Sequence, residues 1–263
     1  MTALYAYCAL IIAALLLPIL VVVAGSFTAG DTIAFPPQGF SLRWYREFLS
    51  DPDFVASAWV SLRVAVSVAL ISTGLGTASA LALRSGFRGR NWLEMFLLLP
   101  LGIPAVVLGL AFLVLYTQMG FGGTIEGIIA GHVVFTLPFV LRLVTASLTH
   151  ANPNLERAAQ GLGASGWRVF WHVTLPGIRA GVIGGAVFST ILSFDEVVIS
   201  LFLSGPDAIT LPVRIFTYVD QSPGPLVLAA GTMLVGFAAL VFAALESTAT
   251  VSRAFGLSDN EES

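Results

Sequence analysis

The chain has 263 residues, of which 57% are hydrophobic and 10% charged, with formal net charge −3 and mean hydropathy +0.91. A soluble domain carries about 25% charged residues, so this chain has too little polar surface to cover a water-soluble fold. All 12 basic residues are arginines scattered along the chain, which excludes a nucleic-acid-binding stripe, and Cys8 stands alone, which excludes a disulfide framework or a thiolate metal cage within the chain.

Apolar runs lie near residues 10–27, 58–83, 93–117, 127–148, 178–203 and 226–245. Each is close to the roughly 20 residues that carry a helix across a hydrocarbon core, where only an internally hydrogen-bonded backbone is tolerated. The expected fold is all-α: a polytopic membrane protein with six transmembrane helices, forming a single domain over residues 1–263. The first run reads as a retained span rather than a cleaved secretion signal. No basic residue precedes it, Pro18 lies in its middle, and five more runs follow.

Between the first two runs, the turn signal Phe35-Pro36-Pro37 precedes SLRWYREFLS, in which Leu42, Tyr45, Phe48 and Leu49 share one helical face. Trp44 and Tyr45 are expected at headgroup level, the alternatives being a lateral gate or a docking surface for an external protein. Gly74, Gly76, Ala78 and Ala80 in the second run predict close helix packing. Pro100 and Pro104 in the third, with Gly102 and Gly109, predict a bend or break whose freed carbonyls need partners. Gly120, Gly122 and Gly123 form a turn with no phosphate-loop lysine after them. His132 lies within the fourth run and His150 and His172 near the inner face; without compact ligand spacing they read as packing or hydrogen-bonding residues.

Residues 152–176, NPNLERAAQGLGASGWRVFWHVTLP, separate the fourth and fifth runs. Asn152 can cap a helix that begins at Pro153, where the missing N–H costs nothing, and Gly163 can supply the left-handed residue that ends it. Leu155, Ala158, Ala159 and Leu162 are expected on its apolar face, with Glu156, Arg157 and Gln160 turned to water or a partner. A second short helix is expected from Ser165 through Trp167 and Trp171, until Pro176 forces Leu175 out of helical geometry.

The fifth run opens with Gly181, Gly184 and Gly185, again a packing signal, and holds Asp195 and Glu196 near its middle. An ionised carboxylate facing lipid costs several kcal/mol, so at least one must face protein or water. Helical neighbours point about 100° apart, which keeps the two off one narrow stripe. Three readings stay open: a carboxylate paired with a hydroxyl, a helix-end amide or an arginine; an acidic patch lining a cation path; or a protonated acid in the core. The following segment, 204–224, holds Pro206, Asp207, Pro212, Asp220 and Pro223 and reads as a turn-rich hairpin.

With a cytoplasmic N-terminus, the inner side receives Arg84, Arg88, Arg90, Arg142, Arg157, Arg168, Arg179 and Arg253, and the outer side Arg43, Arg46, Arg63 and Arg214. That excess places both termini and the 152–176 segment in the cytoplasm.

The spacing Ala158-Ala159, three residues, Gly163, nine residues, Val173, one residue, Leu175-Pro176 resembles the EAA loop of permease subunits of binding-protein-dependent ABC importers. GFSLRWYREFL before the second run, and LSFDEVVISLFLSGPDAITLPVRIFTYV across the fifth run and the segment after it, are similar to the polyamine-type, spermidine/putrescine branch. The resemblance covers essentially the whole chain and implies the MetI-like permease fold. It also implies that Glu156, Arg157, Ala158, Ala159, Gly163, Leu175 and Pro176 form a coupling loop that fits a groove in a cytoplasmic ATPase dimer. Arg157 departs from the family, which opens the motif with Glu. Further implications are a second, different permease subunit, a periplasmic or extracellular solute-binding protein, inner-membrane location, and Asp195 and Glu196 as path candidates. No cofactor is expected on this chain, because ATP and Mg are used by the ATPase. Permeases for ferric iron, thiamine, phosphonates and opine-like solutes share much of the pattern. A secondary transporter leaves the motif-spaced inner loop unexplained, a purely structural or enzyme-anchoring membrane subunit leaves the acids of the fifth run unexplained, and no nucleophile and base set supports catalysis.

Overall fold

The computed structural model describes residues 2–221 and 224–247. Arg253 and Pro223, used above, lie outside them. The helices in chain order are α1 (Thr2–Ser26), α2 (Arg43–Ser50), α3 (Pro52–Arg84), α4 (Arg90–Leu98), α5 (Ala105–Met119), α6 (Ile125–His150) and α7 (Pro153–Gly161). They continue with α8 (Gly166–Val169), α9 (Leu175–Asp195), α10 (Val198–Leu203), α11 (Leu211–Gln221) and α12 (Leu226–Ser247). Among the described residues five helices are long and apolar enough to cross a membrane, and six spans result when one bent pair is counted as one.

Among the described residues, 2–59 with 210–221 and 224–239, and 60–209 with 240–247, form two compact units. In the first, α1 is apolar all round and exposed along most of its length, as suits a helix whose solvent is hydrocarbon. α2 turns a different face inward from the one the sequence suggested. Trp44 and Phe48 are buried, whereas Leu42 and Leu49 are exposed. The cause is the indole N–H, which is buried and donates to the Thr28 carbonyl at 3.1 Å, so Trp44 anchors the segment. The expected hairpin at 204–224 is also corrected. Gly205 and Ala208 pair in a single tight turn, and then α11 begins with Pro212 in its first turn, where proline favours a helix start. Arg214 of α11 reaches Asp53 at 3.4 Å.

The second unit is built on α6. A Cβ on Gly76 of α3 or Gly185 of α9 would come within 2.6 or 2.9 Å of Val140, and one on Gly181 within 2.5 Å of the Ser147 hydroxyl. These three glycines therefore let α3 and α9 lie against α6, whereas Gly74 and Gly184 face open space. Val140, Leu141, Val144 and Leu148 pack with Ala80, Leu83 and Ile178 at one end of the unit. Val64, Val68, Leu108, Ile128, Ile199 and Leu203 form a second cluster. The third apolar run is bent: Arg90–Gly102 and Ala105–Met119 meet at 107°, with Pro104 immediately before α5.

The fifth run differs from its expected form at both ends. Leu175 keeps helical angles (φ −61°, ψ −44°), and the helix is continuous as a span from Gly166 to Asp195. A wide π turn at Phe170–Thr174 accommodates Pro176, whose ring would clash with the i−4 carbonyl in an ordinary turn and which has no N–H to bond to it. The span then stops at Asp195, and Glu196 is extended (φ −72°, ψ 110°) before α10 begins at Val198. Asp195 and Glu196 are thus at a break, and the 100° helical offset does not apply to them.

Candidate functional site

Asn152 delimits α7 through its side chain and Gly163 through its backbone. The Asn152 side chain accepts from the Asn154 N–H at 3.0 Å, and Gly163 is left-handed at φ +86° with its N–H donating to the Gln160 carbonyl at 2.9 Å. Ser165 precedes α8 in extended geometry but makes no side-chain cap.

Of the residues expected to face outward, Arg157 and Gln160 are exposed, whereas Glu156 is not. Glu156 points into the fold: its Oε1 accepts from Arg84 Nη1 at 2.9 Å and from the Thr174 hydroxyl at 2.8 Å. Arg84 ends α3, and Thr174 is buried in the π turn leading into α9. One carboxylate therefore ties α7 to the ends of two spans, beside a cleft of about 370 Å³ that all three residues line. Hydrogen bonding from Arg84 holds the Glu156 carboxyl below the usual glutamate range; partial burial opposes this and the Thr174 hydroxyl assists it. The expected apolar face is instead largely outside, with Leu155 58% and Leu162 90% exposed. Arg157 and Ala158 are exposed, Ala159 is half-buried, Leu175 is half-buried and Pro176 exposed. Trp167 and Trp171, exposed and edge-to-face at 5.5 Å, continue an apolar surface beyond α7.

The break after α9 is held by a second set of polar contacts. The Glu196 carboxylate accepts the Ile199 N–H at 2.9 Å, satisfying a free amide at the start of α10. His132 of α6 is wholly buried, with Nδ1 2.9 Å from the Ser193 hydroxyl of α9 and Nε2 2.9 Å from the Ser200 hydroxyl of α10. A neutral imidazole can donate at one nitrogen and accept at the other, so one ring bridges both sides of the break. Ser72 of α3 joins the same polar layer through Thr136 at 2.8 Å, and Thr136 donates to the His132 carbonyl at 2.8 Å. Asp195 is exposed and makes no hydrogen bond or ion pair with a described residue.

Sequence reasoning found the limits of α7 and the two carboxylates of the fifth run. It missed Arg84 and Thr174 as partners of Glu156, and Ser193 and Ser200 as partners of His132. The Arg84 to Glu156 contact spans 72 positions, and no local spacing announces it. Buried serines spaced seven apart opposite a mid-span histidine are the signal that was available for the other set. Arg142 of α6 lies 3.8 Å from Glu94 of α4. Among the described residues no group of three or more His, Cys, Asp or Glu could hold a metal ion.

Residues 71–247 match the family described as "Binding-protein-dependent transport system inner membrane component". The chain is 33% identical over 232 residues to the putrescine transport system permease protein PotI of Escherichia coli K12, covering 85% of this chain and 82% of PotI. It is 32% identical over 235 residues to the spermidine/putrescine transport system permease protein PotC of the same organism, covering 89% and 86%. In fold it is similar to a chain of a bacterial ABC transporter that imports alginate, with TM-score 0.76, 15% identity and coverage of 94% of this chain and 95% of that one. The MetNI methionine transporter gives TM-score 0.63, 18% identity and coverage of 74% and 94%. The fold is thus the all-α, multi-pass MetI-like permease fold. The chain belongs to the inner membrane component family of binding-protein-dependent transport systems, as a permease subunit of an ABC importer.

Proposed function

We propose that this chain forms half of the membrane path of an ATP-driven polyamine importer, with spermidine or putrescine as its solute. The observation that carries the substrate is the 32–33% identity to PotC and PotI over 85–89% of this chain. In this reading a cytoplasmic ATPase dimer docks on α7, a second and different permease subunit completes the path, and an external solute-binding protein delivers the polyamine. Both termini and α7 face the cytoplasm, in keeping with the arginine excess on that side.

The contacts of Glu156 supply a route for coupling. Movement of α7 with the ATPase is passed to α3 through Arg84 and to α9 through Thr174, and α9 ends at the Asp195 break. ATP binding thereby biases an inward-open against an outward-open arrangement. Asp195 lines the solute path and faces the cation, while Glu196 and His132 hold the break in shape.

The test is reconstitution of the complete importer with its binding protein and measurement of ATP-dependent uptake of putrescine, spermidine, ferric iron, thiamine, 2-aminoethylphosphonate and an opine-like amino acid. Polyamine uptake that exceeds every other solute is expected. Robust uptake of another solute with none of either polyamine overturns the substrate.

A further inference from the structure

Residues 152–176 carry Glu156, Arg157, Arg168 and His172 as their ionisable side chains, and the fold withdraws the one acid from the outer surface. The Glu156 carboxylate is held by Arg84 and Thr174 at 2.9 and 2.8 Å. With Glu156 inward and 3.6 residues per turn, the opposite side of α7 carries Asn154, Ala158 and Gly161, flanked by Arg157 on one edge and by Leu155 and Leu162 on the other. Arg157 is exposed and makes no ion pair with any described residue. A Cβ on Gly161 would meet nothing within 4 Å. The face therefore has two small residues and an asparagine amide at its centre, an apolar edge and a cationic edge, and no carboxylate of its own.

We infer that this face of α7 is complementary to an acidic groove: Arg157 pairs with a carboxylate on the cytoplasmic ATPase, while Ala158 and Gly161 let the groove wall approach the helix backbone. The inference rests on the docking role given to α7 above and adds the charge of the partner surface. A protein groove fits this face because Ala158 and Gly161 permit close backbone approach, which a lipid surface does not call for, and the exposed Leu162 gives the groove wall an apolar edge to cover. Arginine's planar donor fork suits a carboxylate partner, so the contact adds direction as well as attraction.

The test uses the complete importer, purified in nanodiscs through a tag on this chain, with retained ATPase quantified after washes of rising salt. Wild type loses ATPase progressively as salt screens the pair, and Arg157→Lys, which keeps the charge but not the planar fork, retains less than wild type and more than Arg157→Glu. Arg157→Glu retains about tenfold less ATPase at low salt, since it sets like charges together in the interface. Reversing one groove carboxylate of the ATPase to arginine, located by cross-linking from Arg157→Cys, restores retention by Arg157→Glu. Full retention by Arg157→Glu, while Leu162→Asp releases the ATPase, overturns the charge pairing and leaves docking at α7 standing. Full retention by both variants overturns the docking as well. A loss confined to phosphatidylglycerol nanodiscs and absent in phosphatidylcholine assigns Arg157 to a lipid headgroup and also overturns the pairing.

Discussion

Two pairs of adjacent charged residues, Glu156-Arg157 and Asp195-Glu196, sit at irregular places in the same unit, and each pair is divided in the same way. One member is turned inward and bonded: Glu156 to Arg84 and Thr174, and Glu196 to the Ile199 N–H. The other, Arg157 or Asp195, is exposed and makes no hydrogen bond or ion pair with a described residue. The pairs differ in what the inward member joins. Glu156 links three separate helical segments through side chains far apart in sequence, whereas Glu196 makes a local cap and leaves the long-range work to His132. The lesson is that neighbouring charges need not share a role: one holds the backbone in place and the other is free to meet a partner.

The largest effect is expected where α7 itself is lost. Gly163→Pro asks for φ near −65° where the backbone stands at +86°, and removes the N–H donated to Gln160. The local cost is about 3 kcal/mol or more. ATPase recovered with the purified permease should fall to a few per cent, with membrane insertion unchanged. Normal recovery would mean that the end of α7 has no part in docking.

Breaking the inward member of the first pair comes next. Glu156→Ala leaves Arg84 and Thr174 without their acceptor and is expected to lower stability by about 1.5–3 kcal/mol, the range for a hydrogen bond to a charged group. The same contact has a pH signature. Arg84 depresses the folded-state pKa of Glu156, so its contribution is present above the ordinary glutamate pKa and is lost as pH falls through the depressed value. Thermal midpoints measured in nanodiscs should therefore drop less on acidification for Glu156→Gln than for wild type, and parallel curves would sink the assignment.

What could be read from the sequence follows the same division between local and distant causes. Asn152, Pro153 and Gly163 declare the ends of α7 because capping and left-handed geometry are decided within a few residues. Pro104 announces the bend before α5 for a similar reason. Pro176 misled, because the π turn that accommodates it lies in the preceding residues and depends on how the span packs. The face of α7 was illegible because Arg84 is brought to Glu156 by the α3 to α6 packing, with Gly76 against Val140. The break at Glu196 escaped notice since its apolar flanks, Phe194 and Val197, suit a continuous span. Only the imidazole from α6, set between Ser193 and Ser200, marks that break from outside the segment.

Smaller effects separate the members of the second pair. Asp195→Asn should lower polyamine uptake several-fold while leaving the thermal midpoint unchanged, because no bond within the described residues is lost. Glu196→Gln keeps an oxygen acceptor for the Ile199 N–H and should stay within about 0.5 kcal/mol of wild type. Glu196→Ala removes the acceptor and should cost about 1 kcal/mol, as loss of a helix cap does. Uptake at the wild-type rate for Asp195→Asn would remove that carboxylate from the path and leave the family assignment untouched.

The most direct measurement of the divided pair is ATP hydrolysis by the complete importer in proteoliposomes, with and without loaded binding protein, normalised to the ATPase still bound. Glu156→Gln is expected to bind ATPase but lose most of the stimulation by loaded binding protein, since the link from α7 to α3 and α9 is weakened. Arg157→Gln is expected to bind less ATPase while each bound copy responds as in wild type. Equal loss of stimulation in the two variants, or a greater loss in Arg157→Gln, would contradict the division into an inward strut and an outward contact.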